Sequence, residues 1–216
     1  MFNKGYSEVY DLFNRSKPYK KEIEFVWNWT HQPKKILDLG CGTANYWKYY
    51  PRGVEICGIE QSEEMVSRSK FKDKIYCGDI TNIDPFTFRS KFDAATALFD
   101  VVNYVDQNKW WKYLPLVAGG YFVFDIWNKE KVVNDGFRIS IKIVNGTARI
   151  IQPIYQDETK VRLQVTVTSS TIHTNEIHEM YLYSTADVME FAGEEFEIAD
   201  IKTTESWQQW FKLKRK

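Results

Sequence analysis

The sequence predicts an α/β fold: a mostly parallel, seven-stranded sheet flanked by helices, with an antiparallel β insertion after the fifth strand. Between Lys35 and Phe124, short apolar runs alternate with mixed polar segments, as strands separated by helices do. After Trp127 the period becomes strict alternation, as in Arg138-Ile139-Ser140-Ile141-Lys142-Ile143 and Arg162-Leu163-Gln164-Val165-Thr166-Val167, the mark of antiparallel strands with one face buried. Near the end, Phe196–Thr203 and Trp207–Lys214 form a closing antiparallel pair. A chain of 216 residues accommodates this as one domain over 1–216, with 135–183 inserted in it.

In order along the chain, Tyr6–Trp29 carries apolar residues at helical spacing (Val9, Leu12, Phe13, then Ile23, Val26, Trp27) and is interrupted at Pro18, which gives two helices. The strands that follow are Lys35–Leu39, Glu55–Glu60, Lys74–Cys77, Phe92–Leu98 and Gly120–Ile126. Helices fall between them at Ala44–Tyr50, Glu63–Phe71 and Gln107–Val117, the second with Ser62 as its N-cap. In the insertion, Asn145-Gly146 supplies the two positive φ angles of a type I′ hairpin. Asp157-Glu158 and Thr174-Asn175 mark two further turns. Thr185–Gly193 is a helix ended by its glycine.

With 29 basic and 29 acidic side chains, the totals offer no attraction for nucleic acid or an anionic membrane. The terminal Lys212, Lys214, Arg215 and Lys216 alternate with apolar residues and form the solvated face of the last strand. Cys41, Cys57 and Cys77 lack C-x-x-C spacing and are expected as buried, reduced thiols in a cytoplasmic protein. No window approaches the roughly 18 apolar residues of a membrane span. No metal motif is present, although Asp125 and Asn128 could hold a divalent ion for a diol acceptor.

The chemistry concentrates in Ile36-Leu37-Asp38-Leu39-Gly40-Cys41-Gly42-Thr43-Ala44-Asn45, a buried strand running into a glycine turn. Glycines there let backbone amides approach a ligand closely. A dinucleotide-binding turn would place a third glycine at position 45, so Asn45 favours a ligand without pyrophosphate. The next strand ends in Glu60, about 20 residues beyond, where a carboxylate can accept both hydroxyls of a ribose. The third ends in Gly78-Asp79-Ile80, with an acid in reach of an adenine amino group.

At these residues the chain resembles class I S-adenosylmethionine-dependent methyltransferases, Rossmann-like enzymes whose first motif is an acid, an apolar residue and G-x-G, matched by Asp38-Leu39-Gly40-Cys41-Gly42. The resemblance implies that Asp38, Gly40, Cys41, Gly42 and Thr43 cradle the methionine part of S-adenosyl-L-methionine. Glu60, with Gln61 and Met65 after it, would hold the ribose side, and Gly78, Asp79 and Ile80 the adenine. Leu98 and Phe99, at the end of the fourth motif strand, would lie along the cofactor. Beyond this half, the chain is similar to small-molecule methyltransferases with an antiparallel insertion, including amino-sugar N-methyltransferases. Tyr6-Ser7-Glu8-Val9-Tyr10-Asp11-Leu12 with Tyr19 resembles their N-terminal segment, in which tyrosines fold over the methionine carboxylate. Phe124-Asp125-Ile126-Trp127-Asn128 resembles their fifth-strand end, and Glu176-Ile177-His178-Glu179-Met180-Tyr181 a histidine-bearing strand of the insertion.

The expected function is therefore methyl transfer to a small molecule, most simply an amine nitrogen. Tyr10 and Tyr19 would serve the cofactor, Tyr6, Tyr104, Trp127 and Asn128 the substrate, and His178 the chemistry, with no nucleic-acid or membrane partner and a homodimer allowed. Packing alone also accounts for Tyr6, Tyr10, Tyr19 and Trp127, and His178 reads equally as a hydrogen-bonded structural residue. His173 reads as a surface strand residue. Transfer to oxygen or to a protein, a nicotinamide-dependent oxidoreductase, and a non-catalytic cofactor-binding protein are the alternatives.

Overall fold

The computed structural model describes residues 4–83, 87–88, 91–106, 118–204 and 207–216. Helices α1 (Lys4–Asn14) and α2 (Tyr19–Trp29) open the chain and part at Pro18. The main sheet follows, from β1 (Lys35–Leu39), β2 (Glu55–Glu60), β3 (Ile75–Cys77), β4 (Phe92–Ala97) and β5 (Ala118–Trp127), with the short α3 (Glu63–Arg68) after β2. After β5 come α4 (Lys129–Asp135) and the insertion strands β6 (Ser140–Val144), β7 (Thr147–Gln156), β8 (Lys160–Thr168) and β9 (His173–Tyr181). The chain closes with α5 (Thr185–Ala192), β10 (Phe196–Thr203) and β11 (Gln208–Arg215).

The seven-stranded sheet has the order β10-β11-β5-β4-β1-β2-β3. Its first five strands run parallel, and β11 pairs antiparallel with both β5 and β10. Because β1 lies between β4 and β2, the direction of winding reverses at β1, and the crevice outside the carboxyl ends of β1 and β4 is where such sheets bind ligands. Strand periodicity divides the core. Leu37, Leu39, Phe122, Phe124 and Phe211 face one layer, while Ile36, Val123 and Trp210 face the other, where α2 covers them with Ile23 and Val26. Each such fully buried side chain contributes about 1.5–3 kcal/mol.

The insertion forms its own four-stranded antiparallel sheet, ordered β6-β7-β8-β9. Val161, Leu163, Val165 and Val167 on β8 are buried in alternation with more exposed residues. α1 covers one end of this face with Tyr6, Val9 and Phe13, and Val132 of α4 packs at the other. Buried Asn103 joins the two sheets, donating from Nδ2 to the Tyr181 carbonyl (2.7 Å) and accepting from the Trp127 amide (3.1 Å).

Several expectations need correction. Ala44–Tyr50 is not an α-helix but a pair of turns with one 3₁₀ turn at Trp47–Tyr49. Gly42 and Ala44 both take positive φ (55° and 60°), and Trp47 donates its indole N–H to Asp38 instead of packing on a helix of its own. The helix at Glu63 ends at Arg68, where Ser69 turns extended and a 3₁₀ turn follows over Lys72–Lys74. Thr174 and Asn175 lie within β9, and the turn before it is built on Ser169, whose Oγ accepts from the amides of Thr171 and Ile172. Strand ends differ by a residue or two at β3, β4 and β5. Lys212 is buried, with its ammonium on the Trp29 carbonyl and over the rings of Trp29 and Tyr121, so that position belongs to the core rather than to a solvated face. Cys77 is exposed because β3 is an edge strand, and the other two thiols are half-buried. The expected helix at 107–117 lies outside the described residues.

Other local expectations hold for stated physical reasons. Asn145 and Gly146 carry φ of 50° and 74° between β6 and β7. Ser62 caps α3 by accepting from the Met65 amide. The helix ended by Gly193 starts at a cap that the sequence reading did not name, Ser184 in a reciprocal box with Asp187. Ser184→Ala should lower unfolding free energy by about 1 kcal/mol, the usual value of such a cap. Urea denaturation checks it, and an unchanged midpoint would show that packing alone fixes this helix.

Candidate functional site

The glycine turn after β1 is set by its backbone. Gly40 and Gly42 take φ of 63° and 55°, a region that side chains with a Cβ rarely enter. At Gly40 a Cβ would lie 2.7 Å from Val101 Cγ1, whereas at Gly42 it would meet nothing within 4 Å. Gly42 therefore borders open space, and its amide donates to Glu60 Oε2 (2.9 Å). The other oxygen of Glu60 accepts from the Ser62 amide (2.8 Å). Burial raises the Glu60 carboxyl above the usual range, and the Ser62, Gly42 and Gln61 amides hold it back down.

Asp38 is buried one strand away, accepting from the Trp47 indole (2.7 Å) and the Thr96 hydroxyl (2.8 Å). Burial pushes its carboxyl up to about 6, against those two hydrogen bonds. Asn45, which stands where a dinucleotide turn has glycine, donates to Asp11 of α1 (2.6 Å), and Thr43 donates to the same oxygen (2.7 Å). The helix preceding the sheet is thus pinned across the turn.

A cavity of about 510 Å³ opens at this crevice and runs on beneath the insertion. It takes in every residue expected to touch a cofactor except Gly78. Gly40, Cys41, Gly42 and Thr43 lie on one rim, Glu60, Gln61 and Met65 on the next, and Asp79 and Ile80 beyond them. Gly78 serves by its backbone, donating to the Glu60 carbonyl (2.9 Å). Tyr10, Tyr19, Leu98 and Phe99 close the near side, with the Tyr10 and Phe99 rings 6.5 Å apart.

The far half is aromatic and polar. Tyr6, Tyr104, Trp127 and His178 all line it, whereas Asn128 does not: its side chain caps α4 by accepting from the Lys131 amide (3.0 Å). His178 is buried between Tyr104 and Glu176, each 2.8 Å away. A carboxylate oxygen only accepts, so Nε2 carries the imidazole proton and Nδ1 accepts from the Tyr104 hydroxyl. Burial, then the neighbouring Tyr6, Asp100 and Glu176, keep Tyr104 protonated by raising it well above its ordinary value. His173 is exposed, as expected.

Sequence reasoning missed Arg149 and Asp100, which also line the cavity. Arg149 sits in an alternating strand with no motif around it, and Asp100 owes its position to left-handed backbone (φ 62°) after Phe99 (φ 72°). Asp125, read as a fifth-strand residue, holds that turn by accepting from the amides of Phe99 (2.7 Å) and Asp100 (3.2 Å). Among the described residues no group of three or more His, Cys, Asp and Glu is arranged to hold a metal, and no helix is long and apolar enough to cross a membrane.

Residues 36–118 match the family model of a methyltransferase domain. The Bacillus subtilis protein YqeM, a candidate methyltransferase, is 26% identical over 150 residues, 61% of this chain. That match spans 58% of the relative, less than two thirds of its length. An S-adenosylmethionine-dependent methyltransferase of Clostridium acetobutylicum superposes with a TM-score of 0.76 at 21% identity, over 97% of both chains. Streptomyces venezuelae DesVI gives 0.78 at 20% identity over 98% of this chain and 99% of its own. CalS10, an amino pentose methyltransferase of Micromonospora echinaspora, gives 0.76 at 18% over 100% and 98%. At these identities the likeness to the solved structures is one of fold.

The raised Asp38 carboxyl has a signed consequence. A folded-state value near 6, above the ordinary 3.8, favours the native state below pH 4, and that contribution is lost as pH rises through 6. Asp38→Asn, which cannot ionise, should therefore compare less well with the native protein at pH 5 than at pH 7.5, by ~1 kcal/mol. Urea denaturation of both proteins at the two pH values measures the difference, and equal gaps would mean that Asp38 does not titrate in this range.

Proposed function

From the methyltransferase domain carried by residues 36–118, we propose that the protein is an S-adenosylmethionine-dependent methyltransferase acting on a small-molecule amine. The observation that carries the cofactor is the Glu60 carboxylate at the carboxyl end of β2, beside open space at Gly42. A carboxylate offers about four lone-pair sites, so the amides of Gly42, Ser62 and Gln61 leave one free for a ribose hydroxyl. Asp79, Ile80 and Thr81 border the same cavity where an adenine would follow, and Tyr10, Tyr19 and Phe99 would cover the methionine end. When bound, the cofactor supplies a methyl activated by positive sulfur.

The protein's part is to align an acceptor, exclude water and manage a proton. Tyr104 donates its hydroxyl hydrogen bond to His178 and so presents oxygen lone pairs to the cavity, where an acceptor N–H can donate. His178 acts through Tyr104, and Glu176 fixes its tautomer. CalS10 is named an amino pentose methyltransferase and KedS8 of Streptoalloteichus a sugar N-methyltransferase. Those named activities, on chains of the same fold, are what supports reading the acceptor as an amine nitrogen rather than a hydroxyl oxygen. Three unpaired thiols suit a cytoplasmic setting.

Calorimetry tests the cofactor. The native protein should bind S-adenosylmethionine, and Glu60→Ala should weaken it by about 1–3 kcal/mol, the cost of unpaired buried polar groups. No saturable binding by the native protein would sink the reading.

Transfer of labelled methyl tests the chemistry, with glucosamine and glucose compared as amine and hydroxyl acceptors. Methylation of glucose alone would reverse the nitrogen assignment. With the working acceptor, Tyr104→Phe and His178→Ala should each lower kcat by about 10²–10⁴-fold with little change in cofactor affinity. The double variant should be no slower than the worse single one, because the two act as a unit. Additive losses would separate their roles.

A further inference from the structure

A second, smaller cavity of about 360 Å³ adjoins the first, and Asn14, Phe99, Asp100, Trp127 and Arg149 line both. Its charge is one-sided. Lys17, Lys142 and Arg149 face it, against the single acid Asp100. Two of these cations are partly satisfied: Lys17 pairs with Glu22 (2.8 Å), and Lys142 donates to the Phe13 carbonyl (2.5 Å) and the Ser16 hydroxyl (3.2 Å). Arg149 has no ion pair among the described residues. It makes one long hydrogen bond to the Tyr6 hydroxyl (3.3 Å), lies 5.0 Å from the Phe13 ring centre, and leaves its buried Nε without a partner.

Asp100, which lines both cavities with Arg149, leaves a buried oxygen, Oδ1, without a partner. Burial and neighbouring Asp125 raise its carboxyl well above the usual range, with Trp127 and Lys17 opposing them. Such a group gains when a cation arrives. A buried polar atom left unpaired is costly, and here a cation's donor and a carboxyl's acceptor border the same space. They do not satisfy each other, since no Asp100–Arg149 hydrogen bond or ion pair within 4.0 Å forms. What would satisfy both is a ligand carrying both charges.

We propose that the acceptor is an amphoteric amine, whose oxyanion, a carboxylate or phosphate, is held by Arg149 with Lys142 in the smaller cavity while its amine meets Asp100 at the junction of the two cavities. This rests on the methyl-transfer reading, because it places the amine at Asp100, which lines the larger cavity together with Tyr104. Arg149 suits the oxyanion because its planar fork matches a carboxylate or phosphate with two parallel bonds. The arriving ammonium supplies Asp100 Oδ1 with the donor it lacks, and passing one proton to that carboxylate leaves a neutral amine, whose lone pair is free to take the methyl.

Calorimetry on the protein saturated with S-adenosylhomocysteine tests this with probes too small to depend on the acceptor's shape. Failure of S-adenosylhomocysteine itself to bind would count against the methyl-transfer reading, whereas its binding leaves the anion question to stand alone. Inorganic phosphate, phosphoethanolamine, ethyl phosphate and β-alanine are then titrated. Phosphate should bind, and Arg149→Met should weaken it about 10- to 100-fold, the range of a charge-assisted hydrogen bond, with Arg149→Lys recovering part of the loss. Phosphoethanolamine should bind more tightly than ethyl phosphate, and Asp100→Asn should erase that advantage. β-Alanine binding above or below phosphoethanolamine assigns the oxyanion to carboxylate or phosphate. Melting curves confirm that each variant is folded. Phosphate binding unchanged in Arg149→Met, no binding of either anion by the native protein, or equal affinity for phosphoethanolamine and ethyl phosphate would each overturn the proposal.

Discussion

The carboxylate of Glu60 is the constraint on which the crevice depends. It is buried at the end of β2, where ionisation is costly, and its two oxygens are bound by amides from two different loops. One bond fixes the glycine turn after β1 and the other the entry into α3. Losing either would leave a buried polar atom unpaired, so the loops hold a common geometry. Asp38 repeats the device one strand away, joining the turn that carries Trp47 to Thr96 on β4. Two acids on adjacent parallel strands thus tie three loops into one rim.

The N-terminal helix joins this rim through Asp11, whose carboxylate oxygen takes both Thr43 and Asn45. That gives a structural reason for asparagine at position 45. A glycine there would free the backbone but release the helix, and with it Tyr6 and Tyr10, which form an aromatic row toward His178 and Phe99.

Much of the main sheet was legible because parallel strands buried on both faces are continuous apolar runs, and because the glycine turn and its two downstream acids have fixed spacing. Asn145-Gly146 was legible for a local reason, the need for positive φ at both positions. Other features depend on tertiary partners. The segment after Gly42 has helical composition, but Ala44 at positive φ and the pull of Asp38 on Trp47 break it. Lys212 looks solvated in an alternating strand until Trp29 and Tyr121 close over it. Within the candidate site, the residues on loops with motifs could be named from sequence, whereas Arg149 could not. Its position is set by the pairing of β7 with β8 and by α1 lying across them.

The two sheets share no strand ladder, and Asn103 bonds across their junction through its side chain. One consequence concerns how such a molecule can diversify. The crevice at the main sheet is assembled largely from backbone amides and two acids within one stretch of chain, so its chemistry tolerates few replacements. The insertion contributes side chains from strands whose hydrogen-bonded frame is complete without the main sheet. Substitutions along its inner face can therefore accumulate without disturbing register or the neighbouring crevice. Heredity can hold the first half still while the second drifts toward new chemistry.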